Sequence, residues 1–212
     1  MFRDRAAAGR RLGSALAALG IDEPLLLGIP RGGIIVAVEV GAVLGAPVDL
    51  VVTRKIGAPA NRELAVGAIA PGVQVWDSDL LERMGVDPAY LARTVATEEA
   101  EIERRTAVYR RGRPAPDLRG RLAVIVDDGL ATGATALAAV RWARAERAAR
   151  VIVAVPVGAP ATVAQLAREA DEVHAIETPS SFRAVGEWYE DFGQTSDAEV
   201  VAALDRAREA DG

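Results

Sequence analysis

Short apolar runs separated by helix-length segments constrain this chain more than any other feature. Pro24–Ile29 (PLLLGI), Val48–Thr53, Leu122–Val126 (LAVIV), Val151–Val155 (VIVAV) and Glu172–Ile176 are each five or six residues long. Helical patterns lie beside or between them, over Phe2–Leu19 (stopped at Gly20), Ile34–Leu44, about Gly133–Arg147 and Thr162–Ala170. Strands this apolar are buried on both faces, and helical crossovers between them make neighbouring strands parallel. The expected fold is therefore α/β, a doubly wound and mainly parallel sheet. Two stretches break the rhythm. Glu63–Asp77 reads as short antiparallel strands (LAVGAIA, then VQVWD), and Pro88–Arg111 as a long charged helix with a solvated, ion-paired face. Arg113-Pro114-Ala115-Pro116 then leads back as a stiff linker. The expectation is one domain over 1–212, with residues 63–120 inserted into its core.

Composition removes whole classes of function. The 212 residues include no cysteine, which excludes disulfide scaffolds, thiolate metal clusters and a cysteine nucleophile. His174 is the only histidine, so histidine-built metal sites and Ser-His-Asp triads lack parts. It sits in an apolar-alternating run and is expected to be structural, as Trp76 and Trp142 are expected to be packing residues. The formal charge of −5 has the wrong sign for a generic nucleic-acid binder, so no nucleic-acid partner is expected, although Arg104-Arg105 and Arg110–Arg113 form local basic clusters. No apolar run approaches the roughly 20 residues needed to span a bilayer. Met1 leads directly into Arg3, Asp4 and Arg5, so a cytoplasmic protein without membrane attachment is expected. Of the 25 basic residues only Lys55 is lysine, which marks it for a role suited to a compact ammonium.

The stretch most informative about chemistry is Val124–Ala136, V-I-V-D-D-G-L-A-T-G-A-T-A. An apolar strand ends in Asp127-Asp128, and small residues lead into a helix. Ligands of open parallel sheets bind where strands end and helices begin. Thr132, Gly133, Ala134 and Thr135 fall where backbone N–H groups and hydroxyls cradle a phosphate at the positive end of a helix. Two adjacent carboxylates are too costly for a core and suit sugar hydroxyls or a hydrated divalent cation. A P-loop kinase and a nicotinamide site are disfavoured, because neither G-x-x-x-x-G-K-[ST] nor a strand-linked G-x-G-x-x-G is present.

This segment resembles the 5-phosphoribosyl-1-diphosphate (PRPP) binding motif of the phosphoribosyltransferase superfamily. The resemblance implies that Asp127 and Asp128 bind the ribose hydroxyls, and approach metal only through substrate or water. Gly129 and Ala131–Thr135 would hold the 5′-phosphate. Gly28-Ile29-Pro30-Arg31-Gly32-Gly33 is similar to the family's diphosphate loop, which often has a non-proline cis peptide, here near Pro30-Arg31 or Arg31-Gly32. Pro30, Arg31, Gly32, Gly33 and Lys55 are the implied diphosphate ligands. Arg54 and Lys55, placed at the end of the second strand, are the implied catalytic cations beside Asp127 and Asp128. The stretch Ile56–Arg62 is the expected mobile loop. Phe182, Trp188 and Tyr189 belong to an aromatic cluster in an implied C-terminal hood (177–212) and are the expected base platform. The combination of L-G-I-P-R-G-G, T-R-K-I-G-A-P and W-Y-E-D-F is closest to bacterial phosphoribosyltransferases of unassigned substrate.

The implied reaction is Mg²⁺-dependent transfer of the phosphoribosyl group from PRPP to a purine or pyrimidine nitrogen, with release of diphosphate. A homodimer acting in nucleotide salvage follows by the same resemblance. Two alternatives stay open, a non-catalytic PRPP or nucleotide sensor and a PRPP or nucleotide hydrolase.

Overall fold

A computed structural model describes residues 1–59, 61–62 and 64–210 of the chain. Helix α1 (Arg5–Ala17) opens it, capped by the Asp4 side chain on the Ala7 N–H. Strand β1 (Leu25–Gly28), helix α2 (Gly32–Leu44) and strand β2 (Val48–Leu50) form the first crossover. Then come β3 (Arg54–Gly57), β4 (Ala65–Ala70), β5 (Val73–Trp76), α3 (Ser78–Met84) and α4 (Pro88–Arg110). The core resumes with β6 (Leu122–Val126), α5 (Ala134–Ala145), β7 (Arg150–Val157), α6 (Pro160–Leu166) and β8 (Glu172–Glu177). A single 3-10 turn (Val185–Trp188) and α7 (Asp197–Ala210) complete the described chain.

The five core strands pair in parallel in the order β2-β1-β6-β7-β8, while β3-β4-β5 form a separate antiparallel sheet. Alternation along the strands divides the core into two layers. Leu26, Val124, Val126, Ile152 and Ala154 pack with α1, α2 and α7 residues such as Leu12, Val40 and Leu204. Leu25, Leu27, Ala123, Ile125 and Val153 face the other way, onto α5 and the small sheet. Order in the core reverses between β1 and β6, so their carboxyl ends open a crevice where α2 and α5 begin.

Several expectations change in detail. The second parallel strand stops at Leu50, because β1 ends opposite it at Gly28, and beyond the Val51 N–H bond to the Gly28 carbonyl the ladder does not continue. Arg54 and Lys55 therefore open the antiparallel sheet, paired across from Ile69 and Ala68, instead of ending a core strand. The departure from the core begins nine residues before Glu63. Helix α3 was not expected; Asp77 caps its start and Gly85 closes it in the left-handed region. Helix α6 begins earlier than expected because Pro160 fits a first helical turn. Helix α7 packs on α2, α4 and β2 and so belongs to the core layer, leaving residues 178–196 as the hood.

Helix α4 is more than a solvated face. Val95, Ile102 and Tyr109, seven residues apart, are buried along one side. Arg110 is buried too, bonded to Asp49 and to the carbonyls of Leu50 and Pro114. Arg104 pairs with Glu101 and Asp197, and Arg111 with Asp205, so these basic clusters are tied to acids. His174 lies 2.7 Å from Glu172, and burial followed by the nearby Arg150 charge lowers its pKa. Trp142 is buried against α5's own layer, and Trp76 packs at the edge of the core. Among the described residues no helix is long and apolar enough to cross a membrane.

Candidate active site

The β1–α2 connection is held to β6 by the Ile29 N–H, which donates to the Val126 carbonyl at 2.9 Å. The Pro30–Arg31 peptide that follows is cis, as the loop resemblance implies. Gly32 and Gly33 allow the start of α2 to lie directly against Asp127 and Asp128. A Cβ at Gly32 would overlap the Asp128 carboxylate, and one at Gly33 would stand 2.7 Å from the Val126 carbonyl oxygen. At Gly33 the obstacle is backbone, so no other residue type permits the approach there without a shift.

The two carboxylates are handled differently. Asp127 accepts the Asp128 N–H through Oδ1 at 2.9 Å. Its burial and then the adjacent Asp128 charge raise its pKa well above the ordinary carboxylate range, against the attraction of Lys55. Asp128 instead holds an ion pair, Oδ2 lying 2.7 Å from Arg5 Nε, with both side chains less than a fifth exposed. Arg5 also donates to the Gly193 carbonyl and covers the Phe192 ring, its Cζ 3.9 Å from the ring centre. The Tyr189 hydroxyl donates to the Asp128 carbonyl at 2.6 Å, and burial raises its pKa. Phe2 pairs with the hood backbone at Trp188 and Glu190, bringing α1 and Arg5 to the site. Gly9 lets α1 approach α2 closely, since a Cβ there would stand 2.7 Å from the Val36 carbonyl oxygen.

The loop after Asp128 is clamped from behind. Leu130 N–H donates to the Val157 carbonyl, Ala159 N–H to that of Leu130, and the Thr162 hydroxyl to that of Ala131. Gly133, at φ +73°, precedes α5 and provides no side-chain cap. The first-turn N–H groups of this twelve-residue helix therefore stay open to an anion.

A cavity of about 890 Å³ brings together Pro30, Arg31, Gly32, Arg54, Lys55, Asp127, Asp128 and Thr135. Thr132, Gly133 and Ala134 line an adjoining pocket of about 380 Å³ beside Asp77 and Ser78. Gly33, Gly129 and Ala131 support the walls and line neither. Phe182, Trp188 and Tyr189 also line neither; they pack with Phe2, Ala8 and Val157 under the hood. Of the stretch Ile56–Arg62, Ala60 lies outside the described residues, while Gly57 and Arg62 line the main cavity.

Of the C-terminal aromatic cluster, Phe192 does line the main cavity, whereas sequence reasoning missed Arg5 as a wall residue, along with the α4 side chains Tyr90, Arg93, Thr94, Thr97, Glu98 and Arg105. The α4 set had a signal. It recurs at helical spacing as a polar stripe, distinct from the apolar seven-residue stripe of Val95, Ile102 and Tyr109. Arg5 had none, because its partner lies 123 positions away. Seven basic residues line the cavity against three acidic ones, an excess of four positive charges in a chain of formal charge −5.

The phosphoribosyl transferase domain family matches residues 4–191. Two Mycobacterium tuberculosis proteins, "Putative phosphoribosyl transferase Rv0571c" of strain H37Rv and its counterpart MT0597 of strain CDC 1551, are each 49% identical over 208 residues. The chain belongs to the phosphoribosyl transferase domain family. That alignment covers 98% of this chain and 47% of each relative, so the chain spans about half the length of the curated relatives it matches. The crystal structure of TT1426 from Thermus thermophilus superposes with a TM-score of 0.81 at 45% identity, covering 96% of this chain and 97% of that one. The fold described above is thus shared with that structure over nearly the full length of both chains.

Proposed function

We propose that the chain transfers the 5-phosphoribosyl group from PRPP to a nitrogenous acceptor and releases diphosphate. One observation carries this reading. The Asp127-Asp128 pair stands between the Pro30–Gly33 loop and the start of α5, which has no side-chain cap, so the residues we assign to ribose, diphosphate and phosphate lie around one strand end.

The acceptor nitrogen forms a bond to the ribose C1 as the C1–oxygen bond to diphosphate breaks, with the electron pair leaving on diphosphate. An acceptor N–H loses its proton to water. Charge grows on the leaving group, so the protein contributes position and electrostatics more than a covalent nucleophile. Lys55 has no ion-pair partner among the described residues and is near enough to attract Asp127, so we assign it to that charge, with Arg31 on the same cavity wall. Arg54 is held 2.6 Å from Glu98 and so acts from a fixed place on the wall. Asp127 and Asp128 orient the ribose, and the α5 N-terminus anchors the 5′-phosphate as remote binding energy.

Among the described residues no three acidic or histidine side chains gather as a metal cluster. Two adjacent carboxylates at an anion site do fit a hydrated Mg²⁺ ion that Asp127 and Asp128 would hold through water and substrate oxygens. Bound there, the ion would supply positive charge to the diphosphate. The test is diphosphate release from PRPP with Mg²⁺ across a panel of nitrogenous acceptors. Acceptor-dependent release is expected; no PRPP binding by calorimetry would overturn the reading.

A further inference from the structure

Asp128 is gripped from two sides by residues that are distant in sequence and joined in the fold. Its carboxylate Oδ2 lies 2.7 Å from Arg5 Nε, and its carbonyl accepts the Tyr189 hydroxyl at 2.6 Å. Both grips come from one assembly. The Phe2 N–H donates to the Trp188 carbonyl at 2.7 Å, the Glu190 N–H to that of Phe2 at 2.8 Å and the Asp191 N–H to that of Arg3 at 2.9 Å. Residues 2–3 thus run bonded along the hood just before Arg5 opens α1. The guanidinium is fixed to the hood as well. It donates from Nη1 to the Gly193 carbonyl and lies over Phe192, whose ring packs on Tyr189 at 5.0 Å between centres. The start of α2 closes the third side. A Cβ at Gly32 would stand 2.6 Å from Arg5 Nε and overlap the Asp128 carboxylate, so loop, acid and guanidinium are packed together.

This packing decides how Asp128 meets a phosphorylated sugar. Ribose hydroxyls are neutral donors, and a charge-assisted bond is about twice as strong as theirs. They therefore meet Asp128 with Oδ2 already taken, and Oδ1 is the oxygen left to accept. Without Arg5, Asp128 would add an uncompensated negative charge beside Asp127, at a site that has to admit phosphate and diphosphate.

We infer that Arg5 is a positioning residue of the PRPP site. It fixes the Asp128 carboxylate, offsets its charge and makes the ribose site depend on where the hood sits. This rests on the transferase reading and deepens it.

The test is PRPP calorimetry, with thermal unfolding alongside, on the wild type, Arg5→Ala, Arg5→Lys, Phe192→Leu and the Arg5→Ala/Phe192→Leu double variant. Arg5→Ala is expected to raise the PRPP Kd by about 10- to 100-fold, the loss of one charge-assisted bond. Arg5→Lys keeps the charge without the planar fork, so it should recover part of the loss. Phe192→Leu keeps apolar bulk and removes the ring face under the guanidinium, for a rise of about two- to fivefold. The double variant should bind no more weakly than Arg5→Ala, because the ring acts through the guanidinium. A wild-type Kd in Arg5→Ala, with only Tm lowered, overturns the inference by making Arg5 purely structural. Tighter binding in Arg5→Ala overturns it too, since Arg5 would then be a plug on Asp128. A double variant that multiplies the two single effects overturns the link to the hood. Should Arg5→Ala fail to fold, a wild-type Kd in both Arg5→Lys and Phe192→Leu is the overturning result. Absence of PRPP binding by the wild type is the separate failure of the transferase reading itself.

Discussion

The contact between the start of α2 and the end of β6 supports a direct test with Gly33→Ala. A Cβ at Gly33 would lie 2.7 Å from the Val126 carbonyl oxygen and 2.9 Å from the Asp127 Cα, whereas ordinary contact begins at 3.4 Å. The two backbones must therefore separate by about 0.7 Å, the difference between 3.4 and 2.7 Å. Neither is free to give, because the Val126 carbonyl already holds Ile29 N–H at 2.9 Å. Overpacking of this kind costs about 1–3 kcal/mol, and alanine's helical preference returns at most about 1 kcal/mol. A net loss of about 1–2 kcal/mol lowers Tm by roughly 2–8 °C in a chain of this size. The same displacement exceeds the roughly 0.5 Å tolerance of a preorganised site, so PRPP affinity should fall more than about tenfold. Gly45→Ala is the control. Gly45 closes the same helix roughly 18 Å away, at φ +61° with nothing within 4 Å of a Cβ. Left-handed strain alone costs about 1–2 kcal/mol there. Thermal unfolding should show similar losses for both variants, and calorimetry should show weakened PRPP binding only for Gly33→Ala. A Gly33→Ala protein with wild-type Tm and wild-type PRPP affinity would refute the reasoning.

Asp127 has a folded pKa raised by burial, so the native state holds its proton longer than the unfolded chain does. Stability must fall as pH rises from the ordinary carboxylate range through that raised value. Urea midpoints of Asp127→Asn should show a flatter profile over this window than the wild type, together with lost PRPP binding; a wild-type midpoint rising more steeply than the variant's would contradict the sign. Lys55→Ala removes an exposed, unpaired cation, so stability should stay within about 0.5 kcal/mol. Turnover should drop by about 100-fold or more, and a steady-state assay with unchanged kcat would remove Lys55 from the leaving-group site. Tyr189→Phe deletes the 2.6 Å bond to the Asp128 carbonyl and leaves that acceptor unmatched in a part-buried setting. Chemical denaturation should register a loss of about 1–2 kcal/mol.

The parallel core was legible because it depends on local pattern. LAVIV and VIVAV have the length and branching of buried strands, and the helices between them leave one hand of crossover. The β6–α5 motif was legible for the same reason, since its strand, acids, glycine and threonine are contiguous. What escaped was set by tertiary pairing. Val51–Thr53 are as strand-like as the residues before them, yet β1 ends at Gly28, and beyond the Val51 N–H bond to the Gly28 carbonyl the ladder does not continue. The Arg5–Asp128 pair depends on Phe2 joining the hood, a contact that no local pattern announces. The aromatic cluster at 182–192 was visible as composition, but its use in packing required knowing that Phe2 and Val157 lie beneath it. Charge on α4 looked like a solvated face because pattern alone cannot say what a polar stripe faces.

Two adjacent acids at an anion site pose an electrostatic problem, and the fold answers it with cations from two separate elements. Asp127 is stabilised by a backbone N–H and by Lys55 on β3, and Asp128 by Arg5 on α1. Each acid thus keeps lone pairs for hydroxyl donors without presenting its full charge to an approaching phosphate. The cavity's remaining cations set its sign, and an excess of four positive charges in a concave, partly buried wall focuses potential outward despite the formal charge of −5. Ionic strength should therefore weaken PRPP association more than the net charge suggests. Arg62 and Arg93 contribute two charges to that excess, so removing both should reduce the salt dependence of PRPP association.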